Sequence, residues 1–350
     1  MSRSVFFILC VLKVLCCNAQ QLTYDSNHPE DGDSYVINEI MSLPIGRDGE
    51  DVIWNFSECE FSGLQESISY GSINDTSFVR VKHDAMYFLK NNIDSLFVSG
   101  YETPQIRMHY SSPIIELPFP FALYDSSEKH YRGTGVYCDF LDICEEGVKL
   151  VEVDAKGIIV LSESDTLRNV LRVHSQKISS LGMHHVPDSF IVDTIRYKQE
   201  IEDCYFWFAR GFRYPVFEYR NNTFYDDMVH VSNIRSSYCF LPVEQIKLND
   251  PINKEIQKQD SISSSLENDI FHYDLLYDGN QLKISYNVDA FATINVLVCN
   301  KMGMLFFRER KESETGLNYN MAFDCSQLPR DEYIIYINVN GKVYSEKIKK

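Results

Sequence analysis

The feature that most constrains this chain is a recurring strand signal with almost no competing helical one. Short runs rich in Val, Ile, Phe and Tyr ("SFVRVK", "AMYFLK", "SLFVSGY", "PIIELPFPFALY", "RNVLRVHS", "CYFWFARGF", "PVFEYR") alternate between two faces and are separated by Gly, Pro, Asn, Asp or Ser clusters. No stretch among them sustains the three-and-four spacing of a long amphipathic helix. The 22 Tyr and 22 Phe strengthen the reading, because aromatic rings fit a pleated surface. An all-β protein is expected. In "CYFWFAR", Cys204, Phe206 and Phe208 oppose Tyr205, Trp207 and Ala209, so both faces are apolar, as for a strand between packed layers. This pattern predicts a β-sandwich or jelly-roll-like first domain. "VKLVEVDAKGIIVLS" predicts a hairpin turning at "DAKG".

The ends of the chain predict its organisation. "MSRSVFFILCVLKVLCCNA" places Arg3 before an apolar run and small residues before Gln20, the layout of a secretory signal peptide over 1–19 and too short for a spanning helix. An acidic β-rich domain is then expected over 20–245. Residues 246–270 lose aromatics and gain Ser, Gln, Asn, Asp and Lys, which predicts a polar linker with a short helical turn near 253–258. Over 271–350, "QLKISYN", "TINVLVCN", "GMLFFRER", "LNYNMAFD", "EYIIYINV" and "KVYSEKIKK" predict a small immunoglobulin-like antiparallel sandwich.

The formal charge is -17, and from Phe271 onward acidic and basic side chains balance, so the excess negative charge lies upstream. Such a polyanion repels phosphate backbones, and nucleic acid is excluded as an expected partner. No spanning membrane segment is expected after the signal. Seven cysteines follow residue 19, an odd number spread too widely for a disulfide framework; Cys138 with Cys144 and Cys204 with Cys239 are the first pairs to test.

The tail, with its Gly turn (Asn300 to Gly303), "DCSQLP" leading to Tyr333, the "VNGK" turn and the basic end Lys347, Lys349 and Lys350, resembles the C-terminal sorting domain of the type IX secretion system of Bacteroidota. It carries Glu332 where family tails usually have Gly. The upstream region is similar to uncharacterised exported proteins that bear such tails. The resemblance implies a separately folded export address, secretion machinery as a partner, and a periplasmic, surface or extracellular destination. It also implies O-glycan acceptor contexts at Ser95, Thr166, Thr194 and Ser261.

Chemical motifs are sparse. His174, His184, His185 and Asp188 are a metal-ligand set by residue type, although neighbours on a strand face opposite ways. Asp226, Asp227 and His230 could supply a general base. Asp139 with Glu145, and Glu200 with Asp203, are carboxylate pairs of the kind a glycosidase needs. Trp54 and Trp207 could stack on sugar rings, although apolar-patterned strands usually bury such rings. Phosphate-cradling Gly loops, dinucleotide fingerprints, nucleophile elbows and HExxH are absent from the sequence, and nothing calls for a cofactor. No residue is assigned as catalytic, cofactor-binding or metal-binding. The leading expectation is a non-enzymatic binder of a glycan or surface protein, and the second is a secreted hydrolase with an acidic cleft.

Overall fold

The computed structural model describes residues 20–74, 76–162, 165–184, 198–226, 228–266, 270–300, 304–340 and 342–350. The proposed signal peptide lies outside them. The chain is all-β, with about 70% strand and 6% helix. In order come β1 (Gln21–Leu22), α1 (Tyr24–Asn27), β2 (Ser34–Ile40), β3 (Gly49–Asn55), β4 (Phe61–Asn74), β5 (Ser77–Lys82), β6 (Ala85–Asn92), β7 (Ser95–Glu102) and β8 (Ile106–Pro118). Then follow β9 (Phe121–Ala122), β10 (Ser126–Tyr137), β11 (Leu141–Ser162), β12 (Asp165–His184), β13 (Lys198–Ala209), β14 (Phe217–Asp226) and β15 (Val229–Cys239). The remainder comprises α2 (Pro242–Gln245), α3 (Pro251–Leu266), β16 (Phe271–Tyr277), β17 (Gln281–Val288), β18 (Ala292–Asn300), β19 (Leu305–Ser313), β20 (Gly316–Asp324), β21 (Glu332–Val339) and β22 (Lys342–Lys349).

The first domain corrects the expected sandwich or jelly roll. It is a closed antiparallel barrel of twelve strands in the order β10-β8-β7-β6-β5-β4-β2-β15-β14-β13-β12-β11, with β11 returning to pair with β10. The physical reason lies on the inner face. Arg80, Lys82, Glu116, Glu145, Lys149, Lys177, Glu200, Glu202 and Arg220 all point inward. Two sheets packed about 10 Å apart leave no room to hydrate and pair that many charges, whereas a wide barrel has an interior that does. The expected "DAKG" hairpin is also corrected: β11 runs through it as one strand of 22 residues, absorbing the irregularity in register shifts at 153–155 and 157–159.

One end of the barrel is closed. Leu22, Phe119, Phe121, Tyr214 and Phe240 join the inward Leu89, Leu96, Val98, Val151 and Val153 in a single apolar core. Arg213, almost fully buried, ties the closure together, donating from Nε and Nη2 to Asp250 at 2.9 and 2.8 Å and from Nη1 to the His28 carbonyl at 2.5 Å. Asp250 also receives the Asn253 backbone N–H at 3.1 Å, capping α3. The segment expected to be a linker with a brief helical turn therefore carries a helix of 16 residues, fastened to the barrel further along by the Gln257 amide donating to Gly211 O.

Outside the barrel, β3 pairs parallel with the far half of β11 and covers the outer faces of β12 and β13. Gly157 permits this, since a Cβ there would meet the Val52 carbonyl oxygen at 1.8 Å. Arg172 fixes the preceding loop by a bidentate pair with Asp154 (2.9 and 2.7 Å) and a bond to Ile45 O at 2.5 Å. Elsewhere the outer face mixes polar and apolar side chains: β10 exposes Glu128, Lys129, His130 and Arg132, and Val81, Met86 and Ile178 are exposed on β5, β6 and β12. Among the described residues no helix is long and apolar enough to cross a membrane.

From Phe271 the chain forms two sheets, β16-β17-β20 and β19-β18-β21-β22, that face each other across an apolar core of their own, including Leu282, Ile284, Ile294, Val296, Ile335 and Ile337. The outer side of β18 and β21 then packs Leu297, Cys299, Ile334 and Tyr336 against Ile53, Ile158 and Val160 of β3 and β11.

Candidate functional site in the barrel lumen

Toward the end opposite the closure, the inner face changes character along each strand. On β13 the inward residues run Phe208, Phe206, Cys204, Glu202, Glu200; on β12 they run Leu171, Val173, Ser175, Lys177. Period-two alternation keeps each series on one face, so the apolar half seals the barrel and the polar half lines a cavity of about 650 Å³. The turns 83–84, 103–105 and 138–140 ring its mouth.

Tyrosines and charges share the cavity lining. Tyr87 of β6, Tyr101 of β7 and Tyr110 of β8 form a row with ring centroids 6.1 and 6.3 Å apart. Tyr131 of β10 extends it at 5.6 Å, edge to face. Charges stand among and around these rings: Arg80 lies 4.9 Å over the Tyr87 ring, Glu116 shares β8 with Tyr110, and β11 to β14 supply Glu145, Lys149, Lys177, Glu200, Glu202, Arg220 and the Asn222 amide. Burial and then the charge of Glu145 push the Tyr101 hydroxyl up, with Lys177 opposing.

The charges are held in matched sets. Lys82 lies 3.3 Å from Glu218 and 3.7 Å from Glu66, Lys149 is 3.5 Å from Glu202, and Lys177 is 3.5 Å from Glu145. Arg220 pairs with Glu218 and reaches Glu202 at 4.0 Å, and Arg80 pairs with Glu116. Glu145 also accepts from the Tyr110 and Tyr131 hydroxyls at 2.8 and 3.0 Å. Burial alone would raise these carboxyls; instead Arg220 and Lys82 hold Glu218 down to about 2, and Lys149, Lys177 and Arg220 hold Glu202 far below its ordinary value. Glu200 is different. Its hydrogen-bond partner is the neutral Asn222 amide at 2.7 Å, and burial raises its pKa although Lys177 pulls the other way.

The candidates read from sequence fall elsewhere, with three exceptions: Glu145, Glu200 and Asp226 line the cavity. His174 faces outward on β12, held between Glu152 (2.9 Å) and Asp203 (2.6 Å) and stacked on Tyr205 at 4.5 Å. Burial would lower its pKa, but the bonds to Asp203 and Glu152 raise it. His185 and Asp188 lie outside the described residues, as does the His184 side chain, and among the described residues no cluster could hold a metal ion. His230 is exposed beside Tyr225, and Asp227 is outside the described residues. Asp139 sits in an exposed pair with Arg107, away from buried Glu145. Glu200 points inward and Asp203 outward, so that pair is split by the pleat; the neighbour sharing Glu200's face is Glu202. Trp54 and Trp207 are buried against each other under β3 with centroids 6.2 Å apart and offer no platform.

Ser95, one of the glycan contexts, is buried, with its hydroxyl on Asp94 O. Thr166 pairs with Val160 in a strand; Thr194 and the Ser261 side chain are outside the described residues. All seven cysteines after residue 19 are free: Cys204 faces the lumen while Cys239 lies in the outer core, which separates one expected pair. The lumen set was missed because its signal is charges repeating at i and i+2 within apolar strands (Arg80 and Lys82, Glu200 and Glu202, Glu218 and Arg220), a phase that a solvated face also produces.

No protein-family model matches this chain, and no curated protein is similar to it.

Proposed function

We propose that this is an exported, non-enzymatic binding protein whose barrel lumen holds a small polar ligand. The observation that supports it is the lumen itself: about 650 Å³ of space, within the roughly 300–1,000 Å³ of small-molecule sites, lined by paired charges and a tyrosine row. A barrel needing only a core would continue its apolar half throughout. In this reading the unit from 271 to 350 is the export address, handled by secretion machinery, and the ligand is a glycan rather than a surface protein because the site is concave. Thermal-shift screening of the full chain against chemically diverse small molecules, with Lys177→Met as the control, tests binding. Ligands that stabilise both proteins equally would remove the lumen from the account. Mass spectrometry of the mature termini tests export, and an unprocessed N-terminus would count against it.

A secreted hydrolase is the second reading, favoured by one observation. Glu200 and Glu202, on the same face of β13, have pKa values pushed in opposite directions, as an acid and an ionised partner require. Turnover of a bound ligand that Glu200→Gln abolishes, with affinity retained, would establish this reading over the first.

A further inference from the structure

We propose that the ligand of the lumen is an uncharged carbohydrate of one to three rings, lying with its ring faces on the Tyr87, Tyr101 and Tyr110 row and its hydroxyl edges toward Glu200, Asn222 and Arg220. The inference rests on the lumen reading above and specifies its chemistry.

Three observations carry it. The first is charge balance. The lining holds five cationic side chains (Arg80, Lys82, Lys149, Lys177, Arg220) and five acidic ones (Glu116, Glu145, Glu200, Glu202, Asp226). The cations already face carboxylates, so an anionic guest would have to displace an existing partner and leave a buried charge uncompensated, which is strongly unfavourable. A neutral guest does not.

The second is the kind of polar group offered. A sugar hydroxyl donates once and accepts twice, so it is best met by planar acceptors and donors placed side by side. Glu200 receives from Asn222, while Arg220 lies between Glu218 and Glu202. Arg80 Nε, on the rim of the same set, is buried and has no hydrogen-bond partner among the described residues. A hydroxyl can bridge such groups without moving a net charge.

The third is the mixed lining. Sugar rings have C–H faces and hydroxyl edges; the lumen interleaves a tyrosine row with paired charges, Arg80 standing 4.9 Å over the Tyr87 ring and Glu145 accepting from the Tyr110 hydroxyl at 2.8 Å. A fatty acyl chain would match the rings and strand the charges.

The test uses the full chain and ligand-observed NMR with calorimetry against neutral mono-, di- and trisaccharides, uronic acids, dipeptides and a medium-chain fatty acid. The expected result is binding confined to neutral saccharides, weakened at least tenfold by Tyr101→Ala, five- to tenfold by Glu200→Gln, and less than threefold by Tyr101→Phe, which keeps the ring. Near-UV circular dichroism establishes folding of each variant, and Tyr87→Ala replaces any that fails to fold. Saccharide binding that none of these variants alters would overturn the lumen reading and this proposal together. Binding of a dipeptide or uronic acid that Tyr101→Ala weakens would overturn the neutral-carbohydrate proposal and leave the lumen as the site of a small polar ligand, whereas fatty-acid binding weakened by that variant would overturn both. A folded protein that binds no member of the panel overturns the carbohydrate proposal, and if the wider thermal-shift screen is also blank, the lumen reading with it.

Discussion

The barrel and the C-terminal unit are made from the same kind of strand, yet their interiors are opposites. Between the two C-terminal sheets the buried residues are aliphatic or aromatic, with a Tyr286–Ser313 hydroxyl contact at 3.2 Å as a buried polar pair. Inside the barrel, ten charged side chains line one cavity. The difference is one of width. Seven strands in two facing sheets leave a gap that side chains fill completely, so an inward charge would be stranded; twelve strands in a ring leave a bore that apolar side chains seal at one end only. Charges in the bore are tolerated because each has a partner, and removing one partner should cost more than removing a comparable apolar group.

Trp207 lies in barrel strand β13 and Trp54 in β3 packed on the barrel's outer face, so tryptophan fluorescence follows the first domain. The largest effect is expected from Glu202→Leu, which leaves Lys149 and Arg220 without a shared counter-charge and should destabilise the tryptophan-reported transition by about 3–5 kcal/mol in urea. An unchanged midpoint would mean that water already screens the bore. Ile335→Ala, in the dry core, should cost about 2–5 kcal/mol in a transition seen by far-ultraviolet circular dichroism and silent in tryptophan fluorescence. If the fluorescence midpoint moves with it, the two regions unfold as one.

Acidification should separate the regions next. His28 is buried against Tyr24 and Phe78, and burial followed by repulsion from Arg213 lowers its pKa from 6.5 to about 4. The folded barrel then binds fewer protons than the unfolded chain, so stability falls as the pH drops from about 6.5 toward 4, by on the order of 3 kcal/mol when complete. His174 acts in the opposite sense: its raised pKa gives stability that is present below 6.5 and lost as the pH rises through the folded value. The difference between wild type and His28→Phe isolates the first contribution; parallel pH profiles would refute it. The smallest effect is expected at the junction, where Arg308→Ala removes a partly exposed pair with Asp51 and should change either midpoint by less than about 1 kcal/mol.

How much of this was legible before the structure follows from what each residue pattern can encode. The all-β character shows in the sequence because alternation and turn residues are local. Closure of the sheet does not. Cys204, Phe206, Trp207 and Phe208 read as a strand covered on both sides, and that is true, but a sandwich partner and a barrel lumen plus β3 produce the same string. Likewise "DAKG" has turn composition, and only pairing with both β12 and β3 keeps it extended. The α3 helix was obscured because its fastening comes from distant Arg213 and Gly211 rather than from an amphipathic stripe. Glu200 and Glu202 were visible as acids; that they share a wall with Arg220 required the register of β13 on β14.

The ring is completed between β15 and β2 by two residue pairs, Tyr238 with Glu39 and Cys239 with Asn38. Those partners are separated by nearly the whole first domain, so the earliest strands to leave a ribosome or a translocation channel have no neighbour on one side until almost the last barrel strand arrives. Loop closure over that span is entropically slow to repay, and the open-edged intermediate presents unpaired backbone to anything nearby. Maturation of this protein therefore hinges on how long a nearly finished cylinder must wait for its final stave, and a chaperone that shields β2 during that interval would raise yield without touching the native state.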